Sequence, residues 1–246
     1  MNTLSRKQRE IQQRKDLMLD IAEQLIAEGG HQALSMDRIA ELSEYSKGTV
    51  YQHFPNKEEV MINICLRSIG TLTELFERAA SFEGRPRERM TAIAIAHSLY
   101  ARLYPLQFGF IPIIKSGSVK EKICEDSQDL HLKAERRIMG VLVGIILDGI
   151  ETGDLNLPAE TTPQDVVFGV WSASYGGLLL QTYEIDFDEI GIGDPNKALM
   201  RFMQSSLDGF GWKPLSSEYD LDALIERIYT EVFPEEYAGL VESDAA

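Results

Sequence analysis

The chain contains 246 residues, of which 44% are hydrophobic and 26% are charged, and its formal net charge is −15. These proportions are typical of a globular protein with a substantial core, organised as one large domain or two smaller ones. The sequence has no repeats or low-complexity tracts, and its two distant cysteines, Cys65 and Cys124, favour reduced thiols in a cytosolic protein over a disulfide scaffold.

The negative charge is concentrated in the later part of the sequence. Residues 1–67 hold nine Lys/Arg and ten Asp/Glu, which leaves fifteen basic and twenty-nine acidic residues in the remainder. The first fifteen residues contain five basic residues and one acidic residue, without the apolar stretch of a signal peptide, so we expect a cytoplasmic protein. A basic N-terminal end can orient an acidic body on a polyanion, but the same segment also fits a solvated, frayed terminus.

The first predicted helix spans residues 6–28. Its apolar residues Leu17, Ile21 and Leu25 recur every four positions, which is the spacing of one face of an α-helix. The pair Gly29-Gly30 follows directly, and glycine is the residue most often found just after a helix. The pattern therefore predicts one amphipathic helix that ends at this pair.

Two short helices joined by a tight turn are predicted next. The inner side of the first carries Ile39 and Ala40, and that of the second carries Val50 and Phe54. Because alanine is small, the two helices can cross closely at the steep angle of a helix-turn-helix. Ser46 stands at the N-cap position of the second helix and is also a candidate DNA contact. The opposite side of this helix offers side chains that can form hydrogen bonds with DNA: Lys47, Thr49, Tyr51, Gln52 and His53.

Residues 46–58, with the sequence SKGTVYQHFPNKE, resemble the signature of the tetracycline-repressor-type (TetR family) transcriptional regulators. The resemblance is specific over residues 16–64 and architectural beyond them. It implies an all-α protein with an N-terminal three-helix helix-turn-helix DNA-binding domain over 1–56 and a larger helical effector-binding and dimerisation domain over 57–246. Many members have glycine in the turn where this chain has Glu44, and a non-glycine residue at positive φ costs on the order of 1 kcal/mol. We therefore expect either a strained turn or a different path of the chain.

The resemblance also implies a division of roles among the predicted DNA contacts. Tyr51, His53 and Lys57 would bind phosphates, with a further hydroxyl from Ser35 at the start of the preceding helix. The residues that would face the major groove are Lys47, Gly48, Thr49 and Gln52. In that groove glutamine can pair bidentately with adenine, lysine can approach guanine, and glycine allows a close approach of the backbone. A plain helical hairpin with a polar face is the alternative interpretation.

The remainder of the chain is predicted to be helical, with prolines and glycines marking the breaks between helices. Thr161 or Thr162 could cap the helix that begins at Pro163. The final residues 239–246 are expected to be disordered. Helices are expected from 57 to about 84 and over 87–104, 106–116, 119–151, 163–183, 196–210 and 221–233.

Residues 166–183 contain no charged side chain, and the length of this uncharged stretch approaches that of a membrane span. The stretch is short, single and flanked by charged residues, so a helix buried by partners is the better interpretation. The TetR resemblance implies a homodimer through helices at about 163–183 and 196–210, and two symmetric copies are also what a palindromic site requires. Small residues would allow a close helix approach: Gly169, Ala173, Gly176 and Gly177.

Aromatic side chains recur at helical spacing in the predicted effector-binding domain. His97, Tyr100 and Tyr104 share one helical face, and Trp171 and Tyr175 are four residues apart. Such residues could line a cavity for an apolar or aromatic small molecule, although ordinary core aromatics show the same spacing. The candidate lining residues are His97, Tyr100, Tyr104, Phe108, Phe110, Met139, Trp171 and Tyr175.

Motifs for catalysis or cofactor binding are absent from the sequence. There is no nucleophile elbow, P-loop or dinucleotide fingerprint. The four histidines fall singly, without metal-ligand spacing to one another or to the cysteines. The sequence therefore predicts neither an enzyme nor a bound cofactor or metal.

The sequence thus predicts a homodimeric regulator that binds double-stranded operator DNA with palindromic symmetry. Because most members of the family that it resembles are repressors, we expect a repressor that leaves the DNA when an unidentified small-molecule effector binds. The helix over residues 57–82 is predicted to transmit the change, because it belongs to both parts. Two alternatives stay open: a DNA-binding protein of the same fold that acts through a protein partner without an effector, and a helical adaptor that does not bind DNA.

Overall fold

The structure is a computed structural model that describes the backbone of residues 5–114 and 121–244, and the side chains within 5–109 and 121–240. Within these ranges the chain forms eleven α-helices, one short 3-10 turn and no strand, which confirms the predicted all-α fold. The helices are α1 (Arg6–Ala33), α2 (Met36–Ser43), α3 (Lys47–His53), α4 (Lys57–Ala80), α5 (Pro86–Leu103), α6 (Pro105–Ile114), α7 (Glu125–Glu151), α8 (Pro163–Leu180), α9 (Pro195–Gly209), α10 (Leu221–Glu231) and α11 (Pro234–Asp244).

The chain divides into two compact units. The first consists of Met1–Ser68 with Phe110–Lys133, and the second of Ile69–Gly109 with Ala134–Ala246. Helices α4 and α7 each begin in the first unit and end in the second. The predicted boundary between residues 56 and 57 falls between α3 and α4, whereas the compact units keep the first half of α4 together with α1, α2 and α3.

In the first unit, α1, α2 and α3 pack around a small apolar core. Leu25 of α1, Ile39 of α2 and Val50 of α3 are completely buried. The helical geometry of α1 breaks at Gly29 and Gly30, where Gly30 has a φ of 69°. The predicted end of the first helix is therefore observed, since only a single turn continues beyond the glycine pair.

The turn between α2 and α3 is built on Glu44, which has φ 57° and ψ 20°. Its backbone N–H donates to the carbonyl of Glu41 and ends α2. Glu44 is the one non-glycine residue with positive φ in the described part of the chain. The chain thus follows the left-handed path of a helix C-cap and carries strain that glycine would avoid.

We expect Glu44→Gly to raise the free energy of unfolding by about 0.5–1 kcal/mol. Glycine removes left-handed strain of about 1–2 kcal/mol but gains freedom in the unfolded chain worth about 0.4–1 kcal/mol. Urea denaturation followed by circular dichroism measures the difference. Glu41→Gly is the matched control, since glycine inside α2 should lower stability by about 1 kcal/mol. A Glu44→Gly variant no more stable than its parent would show that the turn is unstrained.

The start of α7 differs from the prediction of a helix from residue 119, since α7 begins at Glu125. The structural reason is Glu59 of α4, a carboxylate with 4% exposure. Its Oε1 accepts from the backbone N–H of Cys124 at 2.5 Å, and its Oε2 accepts from the hydroxyl of Ser127 at 2.7 Å. A carboxylate from another helix therefore supplies the N-terminal cap of α7.

The second unit is organised around α5, which packs against α8, α9, α10 and α11. The central residues of α5 are almost inaccessible to solvent, for example Ala96 at 0% and Leu99 at 1% exposure. A helix that is covered on several sides in this way contributes to the core with most of its surface. The C-terminal helices are therefore part of this core and not an appendage.

The C-terminal end corrects the prediction that residues 239–246 are disordered. Helix α11 continues to Asp244, and its Leu240 is 5% exposed. The helix is held by Arg78 of α4, whose guanidinium donates to the carboxylate of Glu236. The acidic, low-periodicity sequence of this segment suggested disorder, but burial of one leucine and a tertiary ion pair order it through residue 244.

A buried arginine joins α5 to the end of α9. Arg87 has no exposed surface, and its Nη1 lies 2.7 Å from Oδ1 of Asp208. It also donates to the backbone carbonyls of Gln204 and Trp212. Burial alone would raise the pKa of Asp208, but hydrogen bonds from Ser216 and Arg87 outweigh it and lower this pKa. The carboxylate of Asp208, whose side chain is 29% exposed, is therefore ionised at neutral pH beside the buried guanidinium.

The uncharged stretch of the sequence forms most of α8. The N-cap of this helix is Thr162, whose hydroxyl accepts from the backbone N–H of Asp165 at 3.2 Å, and Pro163 occupies the first turn as predicted. None of the helices in the described part of the chain has the length and apolar character needed to cross a membrane. The helix ends at Leu180, three residues before the predicted end.

Candidate nucleic-acid interface and small-molecule cavity

Helix α3 is seven residues long and is held by its apolar underside. Val50 and Phe54 are completely buried. Ser46 is the N-cap, and its hydroxyl accepts from the backbone N–H of Thr49 at 3.1 Å. The Thr49 hydroxyl lies 2.9 Å from that of Ser46, so the Thr49 side chain takes part in the cap. It is also half-buried. The predicted contact residues that remain exposed on this helix are Lys47, Gly48, Tyr51 and Gln52.

Lys47 has a partner that the sequence pattern did not reveal. Its Nζ lies 2.8 Å from Oδ2 of Asp37 on α2, and both side chains are largely exposed. The hydrogen bond and the charge of Asp37 raise the pKa of Lys47. Because exposed pairs of this kind are worth little, an incoming acceptor can replace Asp37 at small cost.

His53 is half-buried at the end of α3. Burial lowers its pKa, and the positive charges of Arg14 and Lys15 lower it further. The imidazole is therefore neutral at physiological pH and can donate one N–H without contributing a charge. The ammonium of Lys15 also lies 5.9 Å from the centroid of the Phe54 ring. The structure thus places two basic residues of α1 beside α3, whereas their position in the sequence indicated only that the N-terminal end of the chain is basic.

The two remaining predicted contacts lie at helix N-termini. Ser35 is the N-cap of α2, and its hydroxyl accepts from the backbone N–H of Arg38 at 3.2 Å. Lys57 is the first residue of α4 and is exposed. The predicted DNA-contacting set therefore lies on α3, on its N-cap and at the N-terminal ends of α2 and α4, where helix dipoles favour phosphate groups.

The second unit contains a narrow apolar cavity of about 30 Å³, which has room for about one or two waters. It is bordered by α4, α5, α7, α8 and α9. The lining includes aromatic and methionine side chains but no charged one. The lining residues are Phe76, Met90, Ile93, Ala94, His97, Leu142, Ile146, Val167, Val170, Trp171, Ser174 and Met203.

His97 is the most polar group of this lining. Its Nδ1 lies 2.7 Å from the hydroxyl of Ser174, and its ring packs edge-on against Phe76 and Phe108. Burial lowers the pKa of His97 to about 4, so the imidazole is neutral at physiological pH. His97 and Ser174 bond to each other, so the surface that the cavity presents is apolar and carries no formal charge.

The buried His97 should make stability depend on pH between about 6.5 and 4. In this window the unfolded chain binds a proton at His97 but the folded chain does not, so stability is complete above about 6.5 and falls by on the order of 3 kcal/mol towards pH 4. Thermal unfolding across this range should show a shallower loss for His97→Gln. The exposed His31 provides the control, His31→Gln, which should keep the parental slope. Identical slopes for all three proteins would contradict the neutral buried state.

The predicted cavity residues are only partly brought together. His97 and Trp171 line the narrow cavity. Tyr100 and Phe108 are 1% and 0% exposed and lie in the core behind His97. Tyr175 packs against Phe108 at a centroid distance of 5.1 Å, and its buried hydroxyl has no partner among the described residues. Tyr100, Phe108 and Tyr175 are not among the residues that border the narrow cavity, since helical spacing identifies a shared face but not its depth.

Two further predicted residues also fall outside the lining. Met139 is half-buried on α7, and Tyr104 is the C-cap of α5 with 36% exposure. The side chain of Phe110 lies outside the described residues. Spacing from Trp171 could have identified two lining residues that the sequence analysis did not select, since Val167 lies four positions before it and Ser174 three positions after it on α8.

The cysteines and histidines do not form a metal centre in the described part of the chain, where no group of three or more His, Cys, Asp or Glu is arranged to hold a metal ion. Cys65 is buried, and its Sγ lies 3.7 Å from Nε2 of His131. Cys124 is free and exposed.

Comparison with known proteins agrees with this arrangement. The family described as "Bacterial regulatory proteins, tetR family" matches residues 18–64. The HTH-type transcriptional regulator QacR from Staphylococcus aureus (strain Mu50) is 40% identical over 204 residues, which cover 79% of this chain and 97% of QacR. The fatty acid metabolism regulator protein of Bacillus subtilis is 24% identical over 139 residues, covering 56% of this chain and 69% of that protein.

The fold is shared with solved structures at lower identity. The fatty acid degradation regulator FadR from Bacillus halodurans matches with a TM-score of 0.59 and 16% identity, over 81% of this chain and 97% of its own. An all-α fold with an exposed helix on a helix-turn-helix defines a class of DNA-binding transcriptional regulators. Within that class, the match to QacR over nearly all of its length shows that this chain belongs to the TetR family.

Proposed function

We propose that the chain is a cytoplasmic, homodimeric repressor that binds a palindromic operator through α3 and is released by a small-molecule effector. The observation that carries the proposal is the outer face of α3, where Lys47, Tyr51 and Gln52 are exposed while the underside of the helix is buried. Lys47, Gly48, Thr49 and Gln52 would face the major groove. Phosphate contacts would come from Ser35, Tyr51, His53 and Lys57.

Selection from a random duplex library tests the operator. The bound duplexes should contain an inverted repeat whose half-site centres lie about 34–36 Å apart or a multiple of that distance, as expected for two symmetric recognition helices. Affinity for the selected duplex should fall steeply as salt concentration rises, because phosphate contacts release counterions. Absence of duplex affinity at low salt would instead support the helical adaptor.

Exposed apolar side chains on α8 and α9 support a dimer through these helices. Phe168 of α8 is 64% exposed and Phe202 of α9 is 57% exposed, which is unusual for phenylalanine on a free surface. Added Cβ atoms at Gly169 and Gly176 would meet nothing within 4 Å, so a partner helix could approach there. Gly177 differs, because a Cβ there would lie 2.9 Å from Leu199, so this glycine serves the packing of α8 on α9 within one chain.

The dimer is tested by Phe202→Glu. A buried, unpaired carboxylate at the centre of the interface should shift the protein to monomer in analytical ultracentrifugation and weaken operator binding. The control is Leu130→Glu, which places the same charge at a 53%-exposed leucine of α7 outside the proposed interface. A Phe202→Glu protein that stays dimeric would exclude this interface.

The uncharged lining of the narrow cavity supports an apolar effector. Relatives named for related chemistry include the fatty acid metabolism regulator of Bacillus subtilis and the ketosteroid transcriptional regulator KstR2 of Mycobacterium tuberculosis. We propose that α4 transmits binding, because it runs from the first unit into the second. A hundredfold preference of the effector for the arrangement that cannot bind DNA would shift the equilibrium by about 2.7 kcal/mol.

The small volume of the cavity favours the alternative that the protein acts through a protein partner without an effector. About 30 Å³ cannot hold an apolar metabolite unless side chains move. Thermal-shift screening against apolar metabolites and drugs separates the two. A compound that raises the Tm and releases the operator supports the ligand-responsive repressor, whereas no such compound supports the partner-dependent protein.

A further inference from the structure

A second, wider cavity of about 290 Å³ lies in the same unit as the narrow one. It is bordered by α5, α8, α9 and α10, and its volume is close to the lower end of the range for small-molecule sites, about 300 Å³. Its lining combines apolar side chains, such as Ile95 and Leu178, with hydrogen-bonding ones, including Ser98 and Asn196.

Three residues line both cavities: Ala94 of α5, Ser174 of α8 and Met203 of α9. Alanine is small, and Ser174 is held by its 2.7 Å contact with His97. Met203 has a long, unbranched and adaptable side chain, and it is 4% exposed. It is therefore the member of this shared wall that can most readily change its rotamer.

We infer that the two cavities are the two ends of one effector site, which takes an elongated molecule with an apolar tail and an uncharged polar head. The tail displaces the side chain of Met203 and enters the narrow cavity. The head stays in the wide cavity, within reach of Ser98 and Asn196. This inference rests on the proposed function of a ligand-responsive regulator.

The charges around the wide cavity favour an uncharged head. Its lining contains two basic residues, Arg102 and Lys197, and two acidic residues, Asp194 and Asp222. Asp194 caps α9 through the backbone N–H of Lys197 at 3.0 Å, and its other oxygen lies 4.0 Å from the ammonium of Lys197. Because the two basic and the two acidic groups cancel, the cavity has no net attraction for a positively or a negatively charged head. Burying a charged head would in addition carry a desolvation cost.

The narrow cavity excludes charge more strongly. Its lining has no Asp, Glu, Lys or Arg side chain, and His97, which is neutral, supplies no counter-charge. Phe76, Met90 and Leu142 give it the apolar surface that a hydrocarbon tail requires. The two ends of the site therefore differ in chemistry, and this difference fixes the direction in which the ligand lies.

Decan-1-ol, decanoate and decyltrimethylammonium share one tail and differ in the charge of the head. With decan-1-ol below its solubility limit and the charged probes below their critical micelle concentrations, decan-1-ol should raise the Tm of the full-length protein. Isothermal titration calorimetry should give a Kd for decan-1-ol about tenfold lower than for either charged probe. A charged probe that binds as tightly as decan-1-ol, or more tightly, would overturn the assignment of an uncharged head.

Tryptophan fluorescence tests whether the tail reaches the narrow cavity. The chain has two tryptophans, and only Trp171 lines this cavity. Trp212 is completely buried and its indole N–H has no partner among the described residues, so Trp212→Phe removes the second fluorophore without breaking a side-chain hydrogen bond. In this variant, 10-bromodecan-1-ol should quench Trp171, because the bromine lies at the end of the tail. Binding without quenching would overturn the two-ended site.

Met203→Phe tests the wall between the cavities. The larger, stiffer ring should block the tail, which raises the Kd of decan-1-ol about tenfold and removes the quenching by 10-bromodecan-1-ol. Met139→Phe is the matched control, since Met139 is half-buried in the same unit but lines neither cavity, and both readouts should stay parental. Unchanged binding and quenching in a folded Met203→Phe protein would also overturn the inference. The quenching of Trp171 measured in the Trp212→Phe protein does not depend on whether the Met203→Phe protein folds.

The failure of this inference is distinguishable from the failure of the proposed function. If another compound releases the protein from its operator while the decyl probes neither bind nor quench, the two-ended site is refuted and the regulator stands. If the parent protein binds no operator, the proposed function is refuted, and the calorimetry and quenching still decide whether the alkyl site exists.

Discussion

Arg87→Met should lower the free energy of unfolding by about 3–5 kcal/mol, the cost of removing one partner from a buried ion pair. Methionine keeps most of the apolar stem, so the loss reports the guanidinium. Without it, the carboxylate of Asp208 loses its counter-charge, and the carbonyls of Gln204 and Trp212 lose their donors. Urea denaturation of both proteins at neutral pH measures the difference.

The control for this prediction is an arginine in an exposed ion pair. Arg137 lies 2.8 Å from Glu77, and both side chains are well exposed, so Arg137→Met should cost less than about 1 kcal/mol. Adding Asp208→Leu to Arg87→Met should recover part of the loss, because it removes the carboxylate left without a partner. Equal losses for Arg87→Met and Arg137→Met would show that the buried network does not stabilise the fold beyond a surface pair.

Gln52→Ala should relax the base preference at one operator position, with a loss of about 1–3 kcal/mol of discrimination. Tyr51→Ala and Lys57→Ala should instead weaken binding to all duplexes alike. The reason is the proposed division of roles on the exposed face of α3, in which the glutamine reads a base edge and the other two bind phosphates. Competition binding against every single-base variant of the selected operator separates the two effects.

Salt dependence provides a second measurement of the same division. Lys57→Ala should reduce the slope of log affinity against log salt by about one, because one phosphate contact is lost, whereas Gln52→Ala should leave the slope unchanged. Lys133→Ala, at an exposed lysine of α7, is the control and should change neither the slope nor the specificity. A uniform loss for all operator variants in Gln52→Ala would contradict base reading by this side chain.

The local signals in the sequence were sufficient for several helix ends and for the helix-turn-helix motif. Gly29-Gly30 ended the first helix, and Thr162 with Pro163 began α8, because caps and breakers act within about one turn of the residue that supplies them. The faces of α3 followed from spacing, since Val50 and Phe54 are four residues apart and both are buried.

Tertiary structure decided the features that depend on residues far apart in the sequence. The start of α7 is set by Glu59, 65 residues before Cys124, and the order of α11 depends on Arg78, 158 residues before Glu236. No periodicity within one helix can identify such partners. The cavities show the same limit, because their shared wall takes one residue from each of three helices, and only the packing decides which apolar residue lines a space and which one fills the core.

Sequence alone therefore determined the helical class, the main helix boundaries and the polar face of α3, since each follows from interactions over a few neighbouring residues. Only the tertiary structure determined that Tyr100 and Phe108 are core residues, that His97 is neutral beside Ser174, and that Arg87 pairs with Asp208. Burial and partner choice are properties of the packed chain, because desolvation and contact depend on atoms contributed by distant segments.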